Sequence, residues 1–133
     1  MTAARQAIAV AAYVTRVASG DDVEGDLAGF SSRGPTIDGR PGIDIAAPGS
    51  VIRSACSSQT WVPCAGEWTE MSGTSMAAAV VSGTAALILQ ERPRMNPDEA
   101  KVTLQATSSM LKGEGLVVAG ADRKSTRLNS SHT

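Results

Sequence analysis

Residues 70–80 read EMSGTSMAAAV, a short polar turn followed at once by a run of small apolar residues. Gly73 allows a sharp approach of the chain, and the small residues after Ser75 allow a helix that is buried from its first turn. The first turn of a helix has unpaired backbone N–H groups and the positive end of the helix dipole. Ser75 would thus hold its hydroxyl beside an oxyanion-binding N–H, as a nucleophilic serine requires.

Two simpler interpretations of the same turn stay open at this point. Serine and threonine favour helix N-termini for their hydrogen bonds alone, without any chemistry. The nucleophile elbow of α/β-hydrolases, G-x-S-x-G, matches only in part, because Ala77 stands where its second glycine would be. The role of Ser75 therefore depends on what the rest of the chain contains.

The chain as a whole has the size and composition of one small globular domain. Its 133 residues are 42% hydrophobic and 19% charged, with a formal net charge of -1. This balance gives no electrostatic reason to expect a nucleic acid or an anionic membrane as partner. No stretch approaches the roughly 20 continuous apolar residues of a membrane span, and the first residues lack the pattern of a signal peptide.

Short apolar runs predict strands in four places. These are residues 7–14, 43–49, 51–56 and 69–71. Two helical stretches follow, and the Gly-punctuated residues 112–121 then predict a loop or hairpin with one short strand. This pattern indicates an α/β domain with a mainly parallel sheet. Such a sheet needs helices on both faces, and this chain supplies too few, so we expect part of the domain to lie elsewhere.

Both helices can be delimited from the sequence. The first runs from Thr74 to about Gln90 and is apolar nearly all round, which is typical of a buried helix. Gly83 within it lowers helix propensity by about 1 kcal/mol relative to alanine, so we expect another part of the backbone to lie close to it. The second begins after Asn96, an N-cap followed by proline, and Glu99 completes a capping box.

The two cysteines, Cys56 and Cys64, lie eight positions apart in a stretch rich in serine, proline and glycine. A disulfide between them would stabilise this surface loop by about 2–3 kcal/mol and would imply an oxidising compartment. Two unpaired thiols are the alternative, and we favour the disulfide. Zinc is a poor candidate, because two cysteines without nearby histidines make only half a site.

Seven stretches follow one another in a characteristic order. They read AIAVAA, AGFSSRGP, DIAAPG, VIRSAC, SGTSMAAA, SGTAALIL and NPDEAKVTL. In this order and spacing they resemble the C-terminal half of the catalytic domain of subtilisin-like serine proteases (subtilases, peptidase S8), over roughly residues 7–108. The resemblance implies a truncated three-layer α/β fold with a mainly parallel sheet, in which residues 1–121 are part of the catalytic domain.

The resemblance also assigns roles within the SGTSMAAA stretch. Ser75 matches the nucleophile of the family, with its backbone N–H as one oxyanion donor, and Thr74 matches a threonine that supports this oxyanion hole. The family also uses an aspartate, a histidine and an oxyanion asparagine, and in subtilisin the aspartate and histidine precede the serine. No histidine or asparagine stands before Asn96 in this chain. We therefore expect the missing N-terminal half of the domain to carry these residues.

The function implied by the resemblance is that of a secreted serine endopeptidase fragment, which hydrolyses peptide bonds through an acyl-enzyme on Ser75. The full-length parent would act on polypeptides outside the cell and would need no cofactor for the chemistry. This chain alone lacks the base, so we expect it to be inactive. The alternative is a subtilase-like pseudoenzyme or interaction module. An α/β-hydrolase fragment would need a native histidine after Ser75.

Acidic residues offer two weak candidates for a metal site. Asp44 matches a position that contributes to a weak cation site in some subtilases. Asp21, Asp22, Glu24 and Asp26 form an oxygen-rich loop of a kind that suits calcium, but they fit no EF-hand spacing. A solvated acidic loop is the better interpretation, so we assign no metal ligand. Structural calcium in the full-length parent stays open.

The C-terminal residues carry the only histidine of the chain. Residues 122–132 read DRKSTRLNSSH, and all eleven match the translation of a widely used sequencing-library adapter in one frame. We interpret residues 122–133 as a non-native, disordered tail, and we exclude His132 as a catalytic base. The reading frame would then be truncated on both sides.

Overall fold

A computed structural model describes residues 6–17, 20, 22–57 and 62–108, together with the backbone of residues 121–122. The elements follow one another as β1 (Val10–Tyr13), β2 (Ile45–Pro48), β3 (Ile52–Ala55), β4 (Trp68–Met71), α1 (Thr74–Glu91), α2 (Pro97–Ala106) and β5 (Ala121–Asp122). The four strands predicted before the helices and both predicted helices are present, whereas residues 112–120, within the stretch for which a further short strand is predicted, lie outside the described residues. The first strand is shorter than its apolar run, because only part of that run pairs with a neighbouring strand.

The strands form one parallel sheet and one separate hairpin. The sheet has the order β1-β2-β5, with Val10 opposite Ile45, and both of its pairings are parallel. Strands β3 and β4 pair antiparallel, with Ile52 opposite Met71. The predicted α/β class with a parallel sheet is thus confirmed. Strand β5 includes Asp122, the residue at which the sequence predicts a non-native tail to begin.

The main core lies between the parallel sheet and helix α1. It is made of small and medium-sized side chains, which are Ala12, Val14, Ala28, Ile45, Ala47, Ala77, Val81 and Leu104. The alanines of the strands leave room for α1 to pack closely on β1 and β2, and such close packing is what stabilises a core with few large side chains. A second cluster covers the other face of the sheet and includes Tyr13, Leu27 and Ile43.

The outer edge of β1 is covered by the segment that contains FSSRGP. The N–H of Ala28 donates to the carbonyl oxygen of Ala12 at 2.9 Å, and the N–H of Ala12 donates to the hydroxyl of Ser31 at 3.0 Å. Ser31 is buried although it is polar, and its hydroxyl is satisfied because it accepts from Ala12 and donates to the carbonyl oxygen of Ser32 at 3.2 Å. The FSSRGP loop is therefore fixed against the sheet from its first serine.

Helix α2 begins with the predicted capping box. The Asn96 side chain accepts from the N–H of Glu99 at 2.9 Å, and the Glu99 carboxylate accepts from the N–H of Asn96 at 2.9 Å. Further along α2, the Gln105 amide donates to the carbonyl oxygen of Asp44 at 3.1 Å, which joins the helix to the start of β2.

Two expectations about helix α1 are wrong for the residues that the structure describes. Only Ala77, Val81 and Thr84 of α1 are buried, although nearly the whole helix is apolar. A side chain added at Gly83 would meet nothing within 4 Å, so no neighbouring backbone explains this glycine. The physical reason is the same in both cases, since the sheet and α2 contact α1 from one side only.

Candidate active site

Ser75 is the second residue of α1 and is exposed to solvent. Gly73 is the N-cap residue, with extended backbone, and no side chain caps this helix end. The first helical hydrogen bonds run from the N–H groups of Met76 and Ala77 to the carbonyl oxygen of Gly73, at 3.1 and 3.3 Å. Within the described part of the chain, the N–H groups of Thr74 and Ser75 thus remain available at the positive end of the helix dipole.

The turn before Ser75 is held against the end of β2. The N–H of Gly73 donates to the carbonyl oxygen of Gly49 at 2.8 Å. The N–H of Gly49 in turn donates to the carbonyl oxygen of Tyr13 at 3.1 Å. A Cβ atom built on Gly49 would lie 2.5 Å from the Cβ of Ala12 and 2.9 Å from the carbonyl oxygen of Gly73. Only glycine fits between β1 and this turn, which explains the glycine of the DIAAPG stretch.

A second contact holds the same turn one residue earlier. The N–H of Val51 donates to the hydroxyl of Ser72 at 2.8 Å. Val51 has a φ angle of 52°, which is unfavourable for a β-branched residue and typically costs about 1–3 kcal/mol. No pattern in the sequence indicates this contact, because valine at a left-handed position contradicts the usual preference for glycine or asparagine. Ser72 is therefore a site residue that sequence reasoning missed.

Thr74 lines a cleft of about 570 Å³. The walls are formed by Val10 and Thr74, by the loop of residues 32–37, and by Gly42 and Ile43. Thr74 is partly buried at this wall, whereas the adjacent Ser75 is exposed. The two predicted site residues thus lie together at the helix end, one facing a concave surface and the other open to solvent.

The rim of this cleft includes a hydrogen-bonded loop at residues 36–40. The hydroxyl of Thr36 and the guanidinium of Arg40 both donate to the carboxylate of Asp38, the latter at 2.7 Å. These hydrogen bonds, first that from Thr36 and then that from Arg40, lower the pKa of Asp38 from 3.8 to about 2. The loop is therefore ordered around an ionised carboxylate at neutral pH.

The structure joins Cys56 and Cys64 in a disulfide, with their Cα atoms 5.9 Å apart. The bond closes the tip of the β3–β4 hairpin, where the N–H of Cys56 also donates to the carbonyl oxygen of Glu67 at 2.8 Å. Strand β4 runs from this tip to Met71 and so leads directly into the turn before Ser75. The disulfide thus stabilises the hairpin that carries the chain into the candidate site.

No histidine occurs among the residues that the structure describes, and His132 lies outside them. Within the same ranges there is no group of three or more His, Cys, Asp or Glu side chains that could hold a metal ion. Asp21 is also outside the described residues. The described residues therefore include no histidine that could take the proton of Ser75. No helix of the described ranges is long and apolar enough to cross a membrane.

Asp44, the other metal candidate, has protein donors on both of its carboxylate oxygens. One oxygen accepts from the N–H of Ala9 at 2.8 Å, and the other lies 2.9 Å from the ammonium of Lys101. Lys101 also donates to the carbonyl oxygen of Ala7 at 3.0 Å. The charge of Asp44 is therefore balanced by a lysine from α2.

The chain belongs to the subtilase family (peptidase S8), because the sequence model of that family matches residues 2–131. It is 40% identical over 111 residues to the serine protease AprX of Bacillus subtilis (strain 168), covering 78% of this chain and 25% of AprX. It is also 40% identical over 104 residues to the subtilisin-like protease SBT3.16 of Arabidopsis thaliana, covering 74% of this chain and 13% of that protein. Pyrolysin of Pyrococcus furiosus is 38% identical to this chain over 110 residues, which cover 80% of this chain and 7% of pyrolysin.

Two solved structures have the same fold. They are the S41 psychrophilic protease, with a TM-score of 0.64, and sphericase, with a TM-score of 0.63. Each is 25% identical to this chain and matches 88% of it, but the match covers only 40% and 39% of their own chains. The chain spans a quarter or less of the length of the three curated relatives named above. The family to which the chain belongs is one of serine-type peptidases.

Proposed function

We propose that this chain is the serine-bearing segment of a secreted endopeptidase, in which Ser75 forms the acyl-enzyme. The observation that carries the proposal is the position of Ser75 in the first turn of α1, exposed to solvent and next to backbone N–H groups without partners in the described residues. A hydroxyl, an N–H donor and a helix dipole come together there. This is the combination that acyl transfer requires.

In the proposed reaction, the Oγ of Ser75 attacks the carbonyl carbon of the scissile peptide bond while a base removes its proton. The carbonyl oxygen becomes an oxyanion, which accepts a hydrogen bond from the N–H of Ser75. The C–N bond then breaks, and the amine leaves with the proton that the base returns to it. Water hydrolyses the resulting ester by the same steps, which frees the acid and restores the serine.

The base comes from outside the described residues. The resemblance to subtilases assigns it to a histidine in the part of the domain that precedes the matched segment, together with an aspartate and an oxyanion asparagine. Removing triad members from subtilisin lowers kcat by several orders of magnitude, up to about 10⁶-fold. For this reason we expect no measurable proteolysis from this chain alone, and a fluorophosphonate probe should leave its Ser75 unlabelled.

The cleft beside Thr74 supports a polypeptide as the substrate. A concave surface of about 570 Å³ is large enough for a few side chains of an extended peptide, and it begins at the residue next to Ser75. In this proposal Thr74, the first residue of α1, supports the oxyanion hole from its place next to Ser75 at the helix N-terminus. The chemistry requires no cofactor.

An extracellular location for the full protein has two supports. One relative, 37% identical over 73 residues that cover 54% of this chain, is named "Extracellular protease" in Xanthomonas campestris pv. campestris. The disulfide between Cys56 and Cys64 is of a kind that persists in oxidising compartments.

The proposal can be tested in a chimera in which the matched 111 residues of AprX are replaced by the corresponding residues of this chain. We expect a fluorophosphonate probe to label the chimera, and Ser75→Ala to abolish labelling. Ser82→Ala, which removes an exposed serine from the same helix, should leave labelling unchanged. A chimera that melts cooperatively but takes no label at Ser75 would favour the non-catalytic alternative, in which Ser75 only begins a helix.

A further inference from the structure

Two arginines contact one carboxylate oxygen on the hairpin that leads into Ser75. The Oε1 atom of Glu70 lies 3.2 Å from Nη1 of Arg16 and 3.3 Å from Nη2 of Arg53. Among the described residues, neither arginine has a second acidic partner. We call Arg16, Arg53 and Glu70 the arginine cluster. It carries two positive charges and one negative charge, so one positive charge is in excess.

The arginine cluster faces solvent. Arg53 lies directly opposite Glu70 in the β3–β4 hairpin, and Trp68 lies on the same face of β4, two residues before Glu70. The side chains of Arg16 and Arg53 are 60% and 66% exposed. A guanidinium has five N–H donors, and one carboxylate oxygen takes only part of them. Both arginines can therefore bind a further carboxylate from solvent while they contact Glu70.

A cavity of about 440 Å³ adjoins the arginine cluster. Its lining includes Arg53, Trp68 and Glu70, together with Val62 and Pro63 from the segment before β4. This volume is within the usual size range of ligand pockets. The exposed ring of Trp68 adds an apolar surface beside the charged groups. The site thus offers a bound side chain room and apolar contact as well as charge, which a free ion would not use.

The arginine cluster lies close to Ser75 along the chain and is held in place by the fold. The hydroxyl of Ser50, a fully buried residue, donates to the carbonyl oxygen of Arg16 at 2.9 Å. Glu70 precedes Ser75 by five residues, and five extended residues span at most about 18 Å. An extended polypeptide whose scissile bond lies at Ser75 would therefore reach the cluster with a side chain within about five positions of that bond.

We propose that the arginine cluster is a subsite that binds an acidic side chain of the polypeptide substrate. A carboxylate of aspartate or glutamate accepts charge-assisted hydrogen bonds from Arg16 and Arg53, and Glu70 holds the two guanidinium groups side by side. The inference rests on the proposed function in one respect, which is that Ser75 cleaves the bound polypeptide. Because the groups are exposed, the preference is modest and weakens as the salt concentration rises.

Cleavage of a peptide series by the AprX chimera measures this preference. The peptides share one scissile bond and carry glutamate, glutamine or lysine at a single position, varied over the five positions on either side of that bond. We expect glutamate at one or more positions to raise kcat/KM about three- to tenfold over glutamine through a lower KM, and lysine there to reduce kcat/KM. Most of the difference should be lost between 50 and 500 mM salt.

Substitutions in the arginine cluster locate the subsite. Arg16→Gln and Arg53→Gln should each remove at least half of the glutamate preference, and Arg53→Lys, which keeps the charge, should retain most of it. Glu70→Gln should increase the preference, because it removes the negative charge of the cluster. Arg94→Gln is the matched control, since it removes an exposed arginine between α1 and α2, and it should leave the preference unchanged. Circular dichroism melting curves establish that the variants are folded.

Binding to the Ser75→Ala chimera tests the subsite without any chemistry. Fluorescence anisotropy compares a dye-labelled, alanine-rich peptide that contains three glutamates with its glutamine counterpart. We expect the glutamate peptide to bind at least threefold more tightly. This advantage should disappear when Arg16→Gln and Arg53→Gln are combined.

The outcomes separate the subsite from the chemistry. If an active chimera cleaves glutamate and glutamine peptides equally well, or if Arg16→Gln and Arg53→Gln keep the full preference, the subsite inference is wrong and the proposed function stands. If the chimera takes no fluorophosphonate label, the proposed function fails and the binding measurement decides. Tighter binding of the glutamate peptide through both arginines then supports the subsite, and equal binding of the two peptides contradicts it.

Discussion

The backbone N–H of Gly73 donates a 2.8 Å hydrogen bond to the carbonyl oxygen of Gly49, and this bond joins the turn before Ser75 to the end of the parallel sheet. Both partners are glycines, and a Cβ atom on Gly49 would lie 2.9 Å from the carbonyl oxygen of Gly73. The position of the helix N-terminus, and with it that of Ser75, therefore depends on a backbone approach that no other residue type at position 49 permits.

Replacing Gly49 by alanine should destabilise the protein. The new methyl group would lie 2.5 Å from the Cβ of Ala12, and such overpacking typically costs about 1–3 kcal/mol. Urea unfolding followed by circular dichroism measures the free energy of unfolding. Gly83→Ala is the matched control, because nothing lies within 4 Å of the added methyl group. It should stabilise the helix by up to about 1 kcal/mol. Equal effects of the two substitutions would contradict the close approach at Gly49.

The capping box of α2 predicts the effect of Asn96→Ala. The substitution removes the acceptor for the N–H of Glu99 and should lower the free energy of unfolding by about 1 kcal/mol. Asn96→Asp keeps an acceptor at the same place and adds a negative charge at a helix N-terminus, so it should be close to neutral or slightly stabilising. If alanine and aspartate were equally destabilising at this position, the cap would not contribute through its hydrogen bond.

Much of this fold could be predicted because it depends on local chemistry. The Asn96 cap, the proline after it and Glu99 act within one helix turn, so the start of α2 can be read directly from the sequence. The strands could be predicted as well, because apolar runs bounded by glycine and proline are typical of buried strands. Ser75 at a helix start follows from the same local reasoning.

The remaining features depend on contacts between distant residues. The hydrogen bond from Val51 to Ser72 spans 21 positions and involves a left-handed valine, for which the sequence holds no signal. The expected burial of α1 on all sides was wrong within the described residues, because apolar periodicity shows that a face needs a partner but not where the partner is. The backbone approach expected at Gly83 was wrong for the same reason, since the sequence does not show which residues surround it.

The ion pair between Lys101 and Asp44 is expected to matter more than the exposed ion pairs. Its side chains are only 20% and 22% exposed, so Lys101→Met should lower the free energy of unfolding by about 1–3 kcal/mol. Arg53→Met is the control, since the Arg53–Glu70 pair is exposed and such pairs contribute about 0–1 kcal/mol. Chemical unfolding of both variants under the same conditions provides the comparison. A loss at Arg53 as large as that at Lys101 would contradict the importance of burial here.

The loop at residues 36–40 should respond to acid. The pKa of Asp38 is lowered to about 2, so its hydrogen bonds stabilise the folded loop above about pH 4 and are lost as the pH falls toward 2. A carboxyl NMR titration should therefore show Asp38 with a midpoint well below 3.8. Thr36→Val removes the largest cause of the shift and should move the midpoint upward. A midpoint near 3.8 in the unaltered chain would show that Thr36 and Arg40 do not hold this carboxylate.

The central claim is that Ser75 is an acylating nucleophile whose base is a histidine outside the matched segment. The most direct measurement is the rate of fluorophosphonate labelling at Ser75 as a function of pH in the AprX chimera, with the adduct located by peptide mass spectrometry. We predict that the adduct forms on Ser75 and that its rate rises through a midpoint near the ordinary histidine pKa of about 6.5, as neutral imidazole becomes available. An adduct on another residue, or a folded chimera without any adduct between pH 5 and 9, would contradict the claim.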